Sequence, residues 1–184
     1  MHIGKNLSTI AISSSLDWGP FHDSGRYLTS ITVDPDNDYF HVANGCLIEN
    51  STNTLILGTK TCTSIPDYVT TIGTNAFWNC YGLTSITIPE SVTRIENEAF
   101  FKCTGLTSIE LPSTIEYLGY AAFNKCSKLT SITINSTTVP EVDNPSYLFG
   151  GCTALTDIYV NADLVEQYKA SEYWSVYADK IKSK

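Results

Sequence analysis

The chain has 184 residues, of which 42% are hydrophobic, and its 19 acidic and 11 basic residues give a net charge of −8. This length suits one ordinary domain, and the apolar content is sufficient for a continuous core, which argues against a disordered chain. An acidic chain without a basic cluster argues against nucleic-acid binding and against a polybasic membrane anchor, because both depend on Lys and Arg.

The N-terminus, MHIGKNLSTIAISSSL, lacks the apolar core and the small-residue cleavage site of a signal peptide. No apolar run approaches the roughly 20 residues of a transmembrane helix, so we expect no membrane insertion. Two interpretations stay open: a cytoplasmic protein, or a fragment from which a targeting segment was removed. The only methionine of the chain is Met1, as an added start codon would give, and this favours the fragment.

Leucines that open an L-x-x-I-x-I/L/V unit mark the predicted coils along the chain. They are Leu7, Leu28, Leu83, Leu106, Leu129 and Leu155, with Leu55 as a degenerate member. Residues 1–27 predict an irregular first coil, in which Phe21 replaces the core phenylalanine of later coils. Residues 33–57 leave the pattern, and the turn signals at 34–38 and at Asn44-Gly45 predict a hairpin-like elaboration of two coils.

The middle of the chain, residues 83–128, contains one 23-residue unit twice, as LTSITIPESVTRIENEAFFKCTG and LTSIELPSTIEYLGYAAFNKCSK. Self-similarity at this period predicts a solenoid. Inside the unit, Ile86 and Ile88 alternate with polar residues, which predicts a half-buried strand that ends at Pro89. Stacking of the units then predicts one parallel sheet along the whole solenoid. Val92 and Ile95 predict an apolar return stretch.

The end of each unit, around its Ala-Phe pair, predicts a short helical or 3₁₀ turn that plugs the core. Four cysteines recur at the repeat spacing, the last after a three-residue insertion. This periodicity predicts a column of buried, reduced thiols instead of disulfides, whose geometry no sequence supplies. Zinc is disfavoured, because no C-x2-C pair exists. The expected structural core is Leu83, Phe77, Phe100, Phe123, Cys80, Cys103, Cys126 and Cys152.

The last part of the chain changes from repeat to helix. Residues 136–147 predict a loop that extends one coil by three residues. From Asn161 onwards, apolar residues follow a helical spacing, at Leu164, Val165, Tyr168, Trp174, Tyr177 and Ile181. We therefore predict a solenoid of about six to seven coils at 1–160 and a C-terminal capping helix at 161–184. The alternative is that this apolar stripe binds a partner.

The repeat resembles the BspA-like leucine-rich repeat, the Treponema/Bacteroides type with a 23-residue unit L-x-x-I-x-I-P-x-x-V-x-x-I-x-x-x-A-F-x-x-C. The inserted VDPDNDYFHVANGCLI and the C-terminal IYVNADLVEQYKASEYWSVYADKIK are similar to segments of such proteins from gut bacteria. The resemblance implies an α+β, right-handed leucine-rich repeat solenoid. It also implies a secreted or cell-surface location, and some members act as adhesins for host matrix proteins or other microbes. Glu96 departs from the pattern, which often has Gly there.

Motifs for chemistry are not apparent. The acidic run at 34–38 predicts an Asx-rich turn, because an EF-hand loop needs Gly and Glu where Tyr39 and Gly45 stand. The histidines have no partner in a recognisable catalytic motif, and phosphate-binding glycine motifs are absent. We therefore expect no enzyme activity, no cofactor and no metal site.

Two sets of surface residues are candidates for ligand binding. The outward face of the strands presents Ser85, Thr87, Ser108, Glu110, Ser131, Thr133, Asp157 and Tyr159. Aromatic residues that can stack on sugar rings or anchor a protein are Trp78, Phe101, Tyr117 and Tyr120. Both sets also have a structural explanation, because Thr and Ser solvate an exposed strand face and aromatic rings pack between coils.

These features favour a non-enzymatic binding module at the cell surface or outside the cell, which recognises a protein or a glycan through the solenoid surface. The alternative is a structural spacer or display segment of a larger surface protein.

Overall fold

The computed structural model describes residues 9–12 and 29–184, and the predicted core residue Phe21 with most of coil 1–27 lies outside them. In chain order the strands are β1 (Thr9–Ile12), β2 (Ser30–Val33), β3 (Phe40–Ala43), β4 (Cys46–Glu49), β5 (Thr54–Gly58), β6 (Thr71–Ile72), β7 (Arg94–Ile95), β8 (Ser108–Leu111), β9 (Tyr117–Leu118), β10 (Ser131–Ile134), β11 (Glu141–Val142), β12 (Asp157–Val160) and β13 (Ile181–Ser183). The α-helices are α1 (Pro145–Leu148) and α2 (Val165–Ala170), with 3₁₀ turns at Ala162–Leu164 and Ser175–Tyr177.

The strands that open the coils pair in parallel, as the repeat predicts. β1 pairs with β2, and β8, β10, β12 and β13 form a four-stranded sheet. Its register aligns Ile109, Ile132 and Ile158, whose side chains are buried. One expectation is wrong: the sheet is not continuous. Within the described residues, the opening stretch of the coil at Leu83 forms no strand of this sheet and makes only a single bridge, between Ser64 and Thr87. The strand β8 therefore pairs only with β10 and forms the edge of the four-stranded sheet.

A second sheet of seven strands, in the order β11-β9-β7-β6-β5-β4-β3, forms along the return stretches. Each regular coil contributes only two residues to it, and one of the two is buried, at Ile72, Ile95, Leu118 and Val142. Because every coil places this pair in the same register, very short strands stack into an extended parallel ladder.

The segment 33–57 forms the predicted hairpin-like elaboration, in which β3, β4 and β5 are antiparallel neighbours. Asn44 and Gly45 have φ angles of 53° and 77°, which suits the two-residue turn between β3 and β4. The preceding acidic run forms an Asx turn, where the Asp36 amide donates to Asp34 Oδ1 at 3.0 Å. A disulfide joins Cys46 of β4 to Cys62, which the sequence interpretation did not anticipate.

A column of four stacked phenylalanines, one from each of four successive coils, runs through the core of the described residues. Ring centroids of Phe77 and Phe100 are 5.0 Å apart, those of Phe100 and Phe123 are 5.3 Å apart, and those of Phe123 and Phe149 are 5.8 Å apart. Gly58 forms one end of the column, because a Cβ there would lie 1.9 Å from Cε1 of Phe77. Phe77, Phe100 and Phe123, which the sequence suggests as plugs, are fully buried in this column.

The thiols form a second column beside the rings. Cys103 and Cys126 are buried, and their Sγ atoms donate to the carbonyl oxygens of Phe77 and Phe100 at 3.1 Å in each case. Cys80 is also free and buried, whereas Cys152 is only half-buried. The four repeat cysteines are therefore free thiols in one column, and its last member, Cys152, lies nearer to the surface.

The C-terminal segment differs from the single helix expected at 161–184. It contains two 3₁₀ turns, α2 and β13, which pairs in parallel with β12. β13 continues the backbone ladder of the last coil, which a helix cannot do. Trp174 is fully buried, and its Nε1–H donates to the Pro140 carbonyl at 2.9 Å. Tyr177 packs edge-on against Phe149 at 5.2 Å and so ends the phenylalanine column.

Candidate binding surface

A row of tight turns follows the return stretches, and its backbone is unusual. The turn around each Ala-Phe pair begins and ends with a residue in the left-handed region. These residues are Asn75, Asn79, Glu98, Lys102, Ala121 and Lys125, with φ between 53° and 61°, and Gly151, with φ 75°, takes the same position after Leu148-Phe149. Gly and Asn adopt this conformation readily, whereas other side chains cost about 1–2 kcal/mol there. The turn buries the Ala-Phe pair and leaves the following residue, Trp78 or Phe101, half-exposed.

The strained residues place charged side chains beside the aromatic ones. Glu98 Oε2 accepts a hydrogen bond from Trp78 Nε1–H at 3.2 Å. The ammonium of Lys102 lies 5.9 Å from the ring centroid of Trp78 and 5.5 Å from that of Phe101. The ammonium of Lys125 lies 5.4 Å from the centroid of Phe101. These are cation–π distances, so each charge has an attractive partner on this surface.

The predicted aromatic residues form two groups on this row. The rings of Trp78 and Phe101 stack at 5.8 Å with an interplanar angle of 8°. Tyr120 packs at 5.2 Å against Tyr147, which is 49% exposed and which the sequence interpretation did not single out. Tyr117 does not join them, because it lies on β9 beneath the guanidinium of Arg94, 4.1 Å from the ring centroid.

A pocket of about 370 Å³ lies between the two groups. Its lining residues are Glu98, Phe101, Tyr120, Ala121, Asn124, Lys125, Ser146, Tyr147 and Gly150. This volume falls within the roughly 300–1,000 Å³ of small-molecule sites. The sequence indicates part of this arrangement, because Lys102 and Lys125 each stand directly before the repeat cysteine of their coil. Tyr147 carried no such signal, since it lies on α1 in the extended segment that breaks the period.

The outward strand face forms rows in register, with Ser108, Ser131 and Asp157 in one row and Glu110, Thr133 and Tyr159 in the next. Ser85, Thr87, Ser108 and Glu110 are exposed, whereas Ser131, Thr133, Asp157 and Tyr159 are half-buried. Where the ladder is interrupted, Thr87 and Glu110 line a shallow cavity of about 210 Å³, together with Ile86, Ile88, Glu90, Pro112 and Asn135. Two of the candidate residues therefore share one cavity.

The acidic members of this face are already paired within the chain. Glu110 Oε1 accepts hydrogen bonds from Asn135 Nδ2 at 2.8 Å and from Lys184 Nζ at 3.2 Å. These two donors lower the pKa of the Glu110 carboxyl. Lys182 pairs with Asp157 and lowers the pKa of that carboxyl in the same way. Lys182 lies on β13 and Lys184 directly follows that strand, so the C-terminus of the chain neutralises this end of the face.

The buried titratable groups serve packing. Burial raises the pKa of Cys80 to about 12 and holds that of Cys103 well above its ordinary value, so both stay neutral thiols at physiological pH. Among the described residues, no group of three or more His, Cys, Asp or Glu residues is placed to hold a metal ion. No helix within residues 29–184 has the length and apolar character needed to cross a membrane.

Comparison with known proteins agrees with this architecture. A family model described as the BspA type leucine rich repeat region matches residues 70–172 in six copies. No curated protein matches the chain.

Solved structures share the fold over most of the chain. A leucine-rich repeat protein from Eubacterium ventriosum is 22% identical with a TM-score of 0.71, covering 96% of this chain and 48% of its own. A leucine rich cell surface protein from Faecalibacterium prausnitzii is 23% identical with a TM-score of 0.60, covering 94% of this chain and 51% of its own. A leucine-rich repeat protein from Bacteroides capillosus is 26% identical with a TM-score of 0.59, covering 68% of this chain and 100% of its own. The chain thus spans about half the length of the first two proteins.

Proposed function

Since this chain belongs to the BspA-type leucine-rich repeat family, we propose that it is a non-enzymatic binding module that recognises a protein or a glycan outside the cell. The observation that carries the proposal is the row of half-exposed aromatic and charged side chains on successive coils, from Trp78 through Phe101 to Tyr147. Repeat proteins commonly bind ligands along such extended surfaces, because stacking displays equivalent positions side by side.

The chemistry of the described residues supports binding over catalysis. The Cys103 thiol is a poor nucleophile, because burial raises its pKa and its Sγ–H donates to the Phe77 carbonyl. His41 contacts Tyr68 OH through Nε2 at 2.7 Å and Asn50 through Nδ1, so its ring nitrogens join the hairpin region to the segment that follows it. Surface recognition is therefore the function that these side chains favour.

A location outside the cell is supported by the disulfide between Cys46 and Cys62. Disulfides persist in oxidising compartments and are rare in the cytosol. The structural likeness to a protein described as a leucine rich cell surface protein agrees with this location.

The proposal is tested by binding of the purified chain to two panels: extracellular-matrix proteins, by surface plasmon resonance, and a glycan array. The matched control is the same chain after reduction and thermal unfolding. We expect saturable binding to at least one panel member by the folded chain and none by the control. Absence of binding to both panels would overturn the proposal and favour the spacer function.

A further inference from the structure

We propose that the pocket between Phe101 and Tyr147 is a binding site for a neutral saccharide. This inference rests on the proposed function: it names the binding site on the solenoid and the chemical class of the ligand. The pocket combines three aromatic rings, Phe101, Tyr120 and Tyr147, with the polar side chains of Glu98, Asn124, Lys125 and Ser146.

The aromatic rings supply the apolar part of the recognition. A pyranose ring presents C–H groups on its flat sides, and these pack well against aromatic faces, which also carry the negative charge of the ring quadrupole. Tyr147 is 49% exposed, so its ring surface is open to a ligand. Its contact with Tyr120 at 5.2 Å holds the two rings together at the pocket before any ligand arrives. Such pre-organisation reduces the entropic cost of binding.

The polar residues match hydroxyl groups. A hydroxyl both donates and accepts, and the pocket offers the Glu98 carboxylate as an acceptor, the Lys125 ammonium as a donor, and the Ser146 hydroxyl as either. Asn124 is buried and donates through Nδ2 to the Tyr147 carbonyl at 2.8 Å, which fixes the backbone that carries the exposed ring. One carboxylate and one ammonium leave the pocket without net charge, and the chain carries −8 overall, so a neutral sugar fits better than an acidic one.

The local backbone also favours a ligand site over a plain turn. Glu98 and Lys125 have φ angles of 55° and 61°, whereas the corresponding positions of an earlier coil are Asn75 and Asn79. Asparagine tolerates this conformation, so Glu98 and Lys125 place a charged side chain there at the cost of strain. Strained residues concentrate at functional sites.

A peptide strand is a poorer occupant. Strand addition requires unpaired backbone groups at a sheet edge. Here the backbone is paired from coil to coil, with the Lys102 amide donating to the Asn124 carbonyl at 2.8 Å and the Lys125 amide donating to the Gly150 carbonyl at 2.6 Å. The pocket therefore offers side chains, not a backbone edge, to its ligand.

The test uses the whole chain on a glycan array with neutral, uronic-acid and sialylated members, followed by calorimetric titration of the strongest neutral oligosaccharide. Tyr147→Ala removes one stacking ring and is expected to weaken binding about tenfold. Lys125→Asn, which suits the left-handed backbone, and Glu98→Gln are expected to weaken it by severalfold, because each replaces a charge-assisted hydrogen bond. The control is Tyr39→Ala, whose ring is 65% exposed on the hairpin region and which should bind as the parent does. Thermal melting of each variant verifies its fold.

The outcomes separate this inference from the proposed function. Loss of neutral-glycan binding in the three pocket variants but not in Tyr39→Ala supports both. Glycan binding that survives all pocket variants, or that is confined to acidic sugars, overturns the saccharide site while the proposed function stands. Binding to a matrix protein without binding to any member of the glycan array likewise overturns the saccharide site and leaves the proposed function standing. No binding to either panel overturns both.

Discussion

Phe100 is the most informative single residue of the core, because its ring has a stacked ring on each side, Phe77 and Phe123. Phe100→Ala should lower the free energy of unfolding by about 3–5 kcal/mol, since the surrounding rings cannot collapse into the cavity. Urea denaturation followed by circular dichroism measures the change. Phe101→Ala, one position later and half-buried, is the matched control and should cost clearly less. Equal losses would contradict a continuous ring column.

The buried Cys80 thiol makes the free energy of unfolding depend on pH in the alkaline range. Its pKa is about 12 in the folded chain, against about 8.5 for an exposed thiol in the unfolded chain. Between these values the unfolded chain has lost the proton that the folded chain retains, so this stabilisation is complete below pH ~8.5 and is lost as the pH rises towards 12. The slope from this one group is at most about 1.4 kcal/mol per pH unit.

The measurement is the unfolding free energy from pH 8 to pH ~11 for the parent chain and for Cys80→Ala. Tyr168, whose pKa is also raised by burial, contributes equally to both proteins. We expect a shallower decline in the variant. Identical slopes would show that the Cys80 thiol is not desolvated in the native state.

At the scale of elements, the hairpin region β3–β5 is tied to the next coil by the disulfide between Cys46 and Cys62, which are 16 residues apart. A closed loop of this length is expected to stabilise the fold by about 3 kcal/mol. The double variant Cys46→Ala/Cys62→Ala should therefore unfold at lower denaturant concentration than the parent. Adding a reductant should lower the midpoint of the parent and leave the double variant unchanged. A parent insensitive to reductant would contradict a stabilising bond.

The C-terminal segment covers the apolar end of the last coil, and we predict that it acts as a cap. Tyr168 and Trp174 are fully buried there, with ring centroids 5.1 Å apart. Deletion of residues 164–184 should destabilise the last coils by several kcal/mol, because burial of each large side chain is worth about 1.5–3 kcal/mol. It should also cause association, since β12 becomes an open sheet edge. Melting temperature and light scattering measure the two effects.

A point substitution in the same segment distinguishes loss of the cap from a general effect of altering the C-terminus. Val176 is 53% exposed in the same segment, so Val176→Ala should leave the melting temperature and the monomer unchanged. A deletion variant that stays monomeric with the melting temperature of the parent would show that the segment is no cap, and the alternative, partner binding by its apolar stripe, would then lead.

For the whole molecule, the stack of coils predicts an uneven distribution of stability. Each coil contacts mainly its neighbours, so amides between central coils should exchange only when the stack opens. The amides of Phe77 and Phe100 donate to carbonyls of Ala99 and Ala122 at 2.7 and 2.8 Å, deep in the column. In hydrogen exchange they should be the slowest. The Asn37 amide, in the exposed Asx turn, should exchange by orders of magnitude faster. Uniform protection would indicate one cooperative unit.

The periodic part of the molecule followed from the sequence alone. A 23-residue period places equal offsets of successive coils in contact, so Phe100 meets Phe77 and Cys103 lies above Cys80 without further information. The parallel strands, the buried plugs and the reduced thiols are consequences of that one regularity. The turn signals at Asn44-Gly45 likewise sufficed for the antiparallel hairpin, because they determine the local backbone.

Only the tertiary structure decided the contacts between residues that do not occupy equivalent positions of the repeat. The disulfide between Cys46 and Cys62 and the pairing of Lys182 with Asp157 depend on how an insertion and a terminus fold back on the coils. The same holds for the pocket: Phe101 and Tyr120 were predicted as aromatic contacts, but Tyr147 reaches them because the extended segment folds into α1. Residues within an insertion have no equivalent position in the repeat. The path of the inserted segment is determined by its packing against the coils, and the repeat pattern does not encode that packing.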